Sequence, residues 1–320
     1  MARYQIVVTD RRHDEYRIEE EALQKIGAEL KICNCVTQED IVRECAQADG
    51  ILLDMAPMGK SALEGLEKCR VINRYGVGCD NVDLEAAAQK GIIVTNVPDY
   101  CAEDVSDHAL ALMMTCLRRT AYKDRMVRQG EWNIPSYGYR LQGKVLGLLG
   151  FGRIARRLAA KCSGFGFSEI MVYDPYVAEE ECQKEGVKKA ALEEVLSHAD
   201  FLSLHMPVTP ETRGMINKKT LSCMKQNAIL INTGRGALIC DEDLVEALKK
   251  KEILCAGLDT HNQEPLSLES GYLSLENVVL TDHTAYSTVE SVKELKEKSV
   301  RNIIDVLSGR TPEYAVLTSL

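Results

Sequence analysis

The chain has 320 residues, 45% hydrophobic and 27% charged, with a formal net charge of −9. That length exceeds what one hydrophobic core usually serves, so two domains are expected, and the acidic balance argues against nucleic acid as the main partner, because phosphate neutralisation needs a Lys/Arg surplus. The 12 cysteines contain no C-x-x-C pair, so no metal site is assigned and the thiols are read as reduced small hydrophobes, as in a cytoplasmic protein.

The chain opens with the apolar run Tyr4–Thr9, cut off by Asp10, Arg11 and Arg12, which does not read as a secretory signal. Further candidate strands follow at Glu29–Cys33, Gly50–Asp54, Val71–Tyr75 and Ile92–Asn96. Charged segments of helical period lie between them at Glu15–Gly27, Glu39–Ala46 and Leu84–Lys90. Such alternation predicts βαβ units on a parallel sheet. One long helix is predicted over Ala102–Arg128. Its apolar stretch, Ala109–Leu117, is too short to span a bilayer, so no membrane association is expected. A turn-rich stretch, Gly130–Gly143, carries the single tryptophan, Trp132. The alternation then restarts with Val145–Leu149, Ile170–Tyr173, Phe201–Leu204, Ala228–Asn232, Cys255–Leu258 and Val278–Leu280. Thr288–Leu307 reads as a last helix with no place in a finished second sheet, so it is expected to return to the first domain. The predicted class is α/β: two Rossmann-like, doubly wound parallel-sheet domains separated by an active-site cleft.

The run from Val145 passes into Gly150-Phe151-Gly152-Arg153-Ile154-Ala155, a G-x-G-x-x-A between strand and helix. Gly150 permits the tight turn, Gly152 lets a pyrophosphate approach the backbone, and Ala155 is small enough for helix–strand packing. The phosphates would rest on the N–H groups of Arg153 and Ile154 at the helix N-terminus. About twenty residues on, the next strand ends at Asp174, where a Rossmann unit places the acid that binds the adenosine ribose. A 2′-phosphate would be repelled there, so NAD is the expected cofactor rather than NADP.

Polar residues mark the ends of later strands: Asn232-Thr233-Gly234-Arg235-Gly236, then Asp259-Thr260-His261-Asn262-Gln263-Glu264-Pro265, then Thr281-Asp282-His283-Thr284-Ala285. Reduction of a 2-oxo acid needs a fork for the carboxylate, a proton donor, and an acid to hold that donor protonated. Arg235, His283 and Glu264 supply those three kinds of group.

With the glycine motif, these segments resemble the D-isomer-specific 2-hydroxyacid dehydrogenase family over nearly the whole chain. The resemblance also rests on Arg74-Tyr75-Gly76-Val77-Gly78-Cys79-Asp80-Asn81-Val82-Asp83, Asn96-Val97-Pro98, Leu204-His205-Met206-Pro207 and Glu211-Thr212-Arg213-Gly214. It implies a discontinuous substrate domain, 1–99 with 288–320, and an NAD domain, 100–287. It implies that Arg235 binds the substrate carboxylate, that His283 exchanges the proton, and that Glu264 stabilises the imidazolium. Backbone N–H groups of Val77 and Gly78 would complete the carboxylate site. Asp259 would meet the nicotinamide carboxamide. His205, Met206, Pro207, Thr212, Thr233 and Gly234 would line the cofactor groove, with His283 and Ala285 at its end. The family's dimers imply a homodimer built on the long helix.

Other residues have plainer readings. His13 and His198 read as surface residues, His108 as part of a helix, and His261 as loop structure. Lys60 is the only cation of the loop Met55–Lys60. It is either solvated or an anchor for a substrate's distal phosphate or carboxylate. Asp282 stands where the family usually has proline. It would either raise the basicity of His283 or face solvent. Tyr286, a candidate substrate contact, resembles the D-lactate dehydrogenase and C-terminal-binding-protein branches, whereas Ser287-Thr288 resembles phosphoglycerate dehydrogenases. The expected function is hydride transfer between NAD(H) and a small 2-hydroxy or 2-oxo acid. The alternatives are a short-form 3-phosphoglycerate dehydrogenase and an NAD-sensing scaffold similar to the C-terminal-binding proteins. A formate dehydrogenase-like enzyme, with glutamine in place of Glu264, is disfavoured.

Overall fold

The computed structural model describes residues 3–316. The chain forms two compact units, Met1–Tyr100 with Thr288–Leu320, and Cys101–Ser287.

In the first unit, strands β1 (Tyr4–Val8), β2 (Ala28–Ile32), β3 (Gly50–Leu53), β4 (Val71–Arg74) and β5 (Ile93–Thr95) alternate with helices α1 (Arg17–Gln24), α2 (Gln38–Cys45), α3 (Lys60–Glu64) and α4 (Leu84–Gln89). The sheet is parallel, in the order β2-β1-β3-β4-β5. Its central strands are apolar on both faces because helices cover both faces. Lys60 does not lie in a loop. It begins α3, where Gln38 Oε1 accepts from Ser61 Oγ (2.6 Å) and Ala62 N–H (3.2 Å) and so caps the first turn. His13 is not a surface residue either. Its ring sits edge-on to Tyr16 and Tyr75, and burial, followed by the nearby Lys296 charge, lowers its pKa to about 4.

The second unit begins with α5 (Ala102–Arg118) and α6 (Thr120–Arg128), not one continuous helix. Val105, Ala109, Leu112, Met113, Cys116 and Leu117 form the buried stripe of α5, and α6 has no fully buried residue. The stripe that pays for helix order ends at Leu117, and Arg119 breaks the helix in the left-handed region (φ 54°). Then follow β6 (Val145–Leu149), α7 (Arg153–Cys162), β7 (Glu169–Tyr173), α8 (Glu179–Lys184), β8 (Lys188–Lys189), α9 (Leu192–His198), β9 (Phe201–Leu204), α10 (Lys218–Leu221), β10 (Ile229–Asn232), α11 (Asp241–Lys250), β11 (Cys255–Leu258) and β12 (Val278–Leu280). The parallel order is β12-β11-β10-β9-β6-β7-β8, and strand order reverses between β6 and β9. All the strands therefore end on one edge, which is where open α/β sheets bind ligands.

Helix α12 (Val289–Leu307) starts at a Thr288–Ser291 capping box and belongs to the first unit. Its buried Asn302 donates to Asn73 Oδ1 (2.9 Å) and to the Asn96 carbonyl (3.1 Å). No helix among the described residues is long and apolar enough to cross a membrane.

Candidate active site

Buried β6 runs into Gly150, whose φ of 89° suits glycine. A Cβ there would stand 2.8 Å from the His205 carbonyl oxygen at the end of β9. At Gly152, by contrast, a Cβ would meet nothing within 4 Å. The backbone that opens α7 is thus bare toward solvent, and the first N–H groups of the helix, at Arg153 and Ile154, have no intrahelical acceptors. Asp174, just beyond β7, reaches across to this turn. Its Oδ2 accepts from Phe151 N–H (2.8 Å) and its Oδ1 from Tyr176 N–H (2.9 Å).

Facing residues are held by local bonds. His205 Nε2 meets Ser203 Oγ at 2.8 Å, and burial lowers the imidazole to about 4, so it is neutral at pH 7. Thr212 Oγ1 donates to the Pro207 carbonyl (2.7 Å) and accepts from Thr209 N–H (2.7 Å), which closes the loop after Met206. Thr233 is buried, and its Oγ1 has no hydrogen-bond partner among the described residues. An orphaned buried hydroxyl, a bare glycine backbone and a ribose-height carboxylate together fit a dinucleotide.

The loop after β10 carries Arg235. Buried Asn232 spans it, accepting from Gly234 N–H (3.0 Å) and donating Nδ2–H to the Arg235 carbonyl (2.9 Å). Arg235 Nη1 donates to the Gly234 carbonyl (2.9 Å), which orients the half-buried guanidinium. Nothing in the composition pointed to Asn232. Its only signal was a polar residue ending the apolar run Ile229–Ile231.

Glu264 and His283 are adjacent. Glu264 Oε2 accepts from His283 Nδ1 at 2.6 Å, and Oε1 accepts from His261 N–H at 2.9 Å. Burial pushes the Glu264 carboxyl up, but the His283 and His261 hydrogen bonds outweigh it and hold the group below the ordinary glutamate range. The carboxylate stays ionised and accepts the hydrogen bond from Nδ1–H, which leaves Nε2 as the ring nitrogen available for proton exchange. His283 itself occupies the left-handed region (φ 57°), a conformation that is costly for a side chain other than glycine. Asp259 holds it there. The Asp259 carbonyl accepts from His283 N–H (2.8 Å), Oδ1 from Thr284 N–H (3.0 Å) and Thr281 Oγ1–H (2.6 Å), and Oδ2 from Ala285 N–H (3.1 Å). The fully buried Asp259 carboxylate thus also holds the histidine loop, a role the sequence did not suggest. Asp282 is exposed and accepts from Thr284 Oγ1 (2.8 Å), and Tyr286 is half-buried.

His108 and His261 are not incidental. His108 Nε2 lies 3.0 Å from Thr281 Oγ1, and His261 Nε2 lies 2.9 Å from the Thr281 carbonyl. Val77 and Gly78 occupy the turn after β4 in the first unit, where Asn96 Nδ2 donates to the Val77 carbonyl (2.6 Å). Lys60 is exposed on that unit.

Residues 110–285 match the family model described as D-isomer specific 2-hydroxyacid dehydrogenase, NAD binding domain. The chain is 39% identical over 281 residues to a glyoxylate reductase of Korarchaeum cryptofilum, covering 86% of this chain and 83% of that protein. It is 35% identical over 314 residues to a D-3-phosphoglycerate dehydrogenase of Methanocaldococcus jannaschii, covering 97% of this chain but spanning only 59% of that protein's length. The solved structure of an Aquifex aeolicus D-lactate dehydrogenase complexed with NAD and lactic acid superposes with a TM-score of 0.88 at 27% identity, over 98% of this chain and 100% of that one. The chain belongs to the D-isomer specific 2-hydroxyacid dehydrogenase family, and its second unit contains the family's NAD-binding domain.

Proposed function

We propose that this protein reversibly reduces a small 2-oxo acid to the D-2-hydroxy acid with NAD(H). The observation that carries the reading is the 2.6 Å contact between His283 Nδ1 and Glu264 Oε2, beside the loop that presents Arg235. Bound nicotinamide supplies or accepts the hydride. Arg235 pairs with the substrate carboxylate as a planar fork and polarises the 2-oxo group. His283 Nε2 gives the oxygen its proton in reduction and removes it in oxidation, while Glu264 compensates the charge on the ring. Glyoxylate or pyruvate is the substrate size we favour, in keeping with the glyoxylate reductase and D-lactate dehydrogenase relatives.

The reading extends to a cytoplasmic homodimer. Twelve free cysteines suit a reducing compartment. Trp132 (77% exposed) and Tyr137 (89% exposed) follow a helix with no fully buried residue, the kind of aromatic surface that interfaces cover. Light scattering should give twice the chain mass, and a monomer would refute the dimer.

The function is tested by NADH oxidation across glyoxylate, pyruvate, hydroxypyruvate and 3-phosphohydroxypyruvate, with His283→Ala alongside. Turnover of at least one acid, abolished in the variant, is expected. Binding of NADH without turnover of any 2-oxo acid would overturn it in favour of a scaffold.

A further inference from the structure

Thr281 lies two positions before His283 and is gripped from both sides by histidines. Its hydroxyl donates to Asp259 Oδ1 at 2.6 Å, so the hydroxyl oxygen must act as acceptor toward His108 Nε2–H at 3.0 Å. Its carbonyl can only accept, so His261 donates from Nε2 at 2.9 Å. The His261 Nδ1 is buried with no hydrogen-bond partner among the described residues, so the ring is placed for this single bond. His108 comes from the middle of α5, and His261 from the loop after β11 that also carries Glu264.

We propose that His108 and His261 are positioning residues that clamp Thr281 and thereby hold His283 in its left-handed conformation against Glu264. The proposal rests on the assignment of His283 as the proton-exchanging group. The physical need is visible in the backbone. A residue other than glycine at φ 57° relaxes toward the right-handed or extended regions unless its neighbours prevent it. Asp259 restrains the residues after His283 through Thr284 and Ala285. On the side before His283, Thr281 is the anchor. Its hydroxyl ties it to helix α5 as well as to Asp259, and its carbonyl ties it to the Glu264 loop. Loss of either histidine frees one side of that anchor, and the His283 ring drifts from the line of proton transfer while the cofactor groove around Gly150 and Asp174 is untouched.

The experiment uses the full chain with NADH and the 2-oxo acid it turns over fastest. Thr281→Val and His108→Leu should each lower kcat roughly ten- to hundredfold, the scale of a small misplacement of a catalytic group, with KM for NADH changed by less than about twofold. Both remove the His108–Thr281 hydrogen bond, and His108 Nε2 also lies 3.5 Å from Asp259 Oδ1, so the double variant should lose far less than the product of the two single losses. His108→Gln, whose amide N–H reaches the same hydroxyl, should recover most of the rate, as should Thr281→Ser. His261→Phe, which keeps the ring and removes the donor, should lower kcat by a separate factor. Should Thr281→Val fail to fold, the His108→Leu and His108→Gln pair decides the matter alone. Full kcat in His108→Leu beside an inactive His283→Ala overturns the clamp. So do multiplying losses in the double variant, or failure of His108→Gln to recover. Turnover by His283→Ala defeats the acid–base assignment instead.

Discussion

Gly236 and His261 touch through their backbones: a Cβ on Gly236 would stand 2.1 Å from the His261 carbonyl carbon and 2.4 Å from Asn262 N. The Arg235 loop and the Glu264 loop are therefore seated directly on one another, with no side chain between them to yield. Gly236→Ala has to part the two loops. It should lower kcat roughly hundredfold and lower Tm, whereas substitution at Gly164, where a Cβ meets nothing within 4 Å, should do neither. Steady-state kinetics and thermal melts of both variants check this.

Cofactor choice turns on Asp174. Its carboxylate sits beside the glycine turn on the Phe151 and Tyr176 N–H groups, where it would accept from a ribose hydroxyl and repel a 2′-phosphate. Asp174→Ala should raise KM for NADH roughly tenfold, the loss of a charge-assisted hydrogen bond, and raise that for NADPH far less. Equal wild-type efficiency with the two cofactors would sink the assignment.

The acid side of the pH profile belongs to Glu264. Its pKa is lowered in the folded protein, so the stabilisation it contributes is complete above the ordinary glutamate value and fades as pH falls through the lowered one. Reduction should hold its rate through mildly acidic pH and fail only once this carboxylate takes a proton and releases His283. Glu264→Gln keeps the shape, removes the charge, and should lower kcat roughly tenfold or more while erasing that acid limb. The measurement is kcat/KM against pH for both forms, and an unaltered limb in the variant would contradict the pairing.

Helix α12 is fastened into the first unit by a polar bridge inside an apolar core. Asn302 is 1% exposed, and its amide serves both Asn73 Oδ1 and the Asn96 carbonyl. Asn302→Leu fits the volume but strands the Asn96 carbonyl, which should cost about 2 kcal/mol. Urea denaturation of the variant should show the loss in one unfolding transition. An unchanged midpoint would mean the bridge contributes nothing.

The residues alone determined the α/β class, every strand but the two-residue β8, the glycine turn with Asp174, and the strand-end positions of Arg235, Glu264 and His283. Parallel strands covered on both faces are continuous apolar runs with abrupt polar ends, so β9, β11 and β12 have the bounds their composition draws. Tertiary structure decided what depends on distant partners. Apolar period carried the helix prediction through Arg119, yet the stripe that α5 buries ends at Leu117, and burial, not propensity, sets where a helix stops. Lys60 looked like a loop cation until Gln38, far back in the chain, capped a helix beginning at that residue. His108 and Thr281 are 173 positions apart and meet only because a seven-stranded sheet carries α5 across the end of β12. No local spacing encodes a contact of that kind, because it is the sheet order, fixed by which apolar faces bury one another, that brings the two side chains within 3.0 Å.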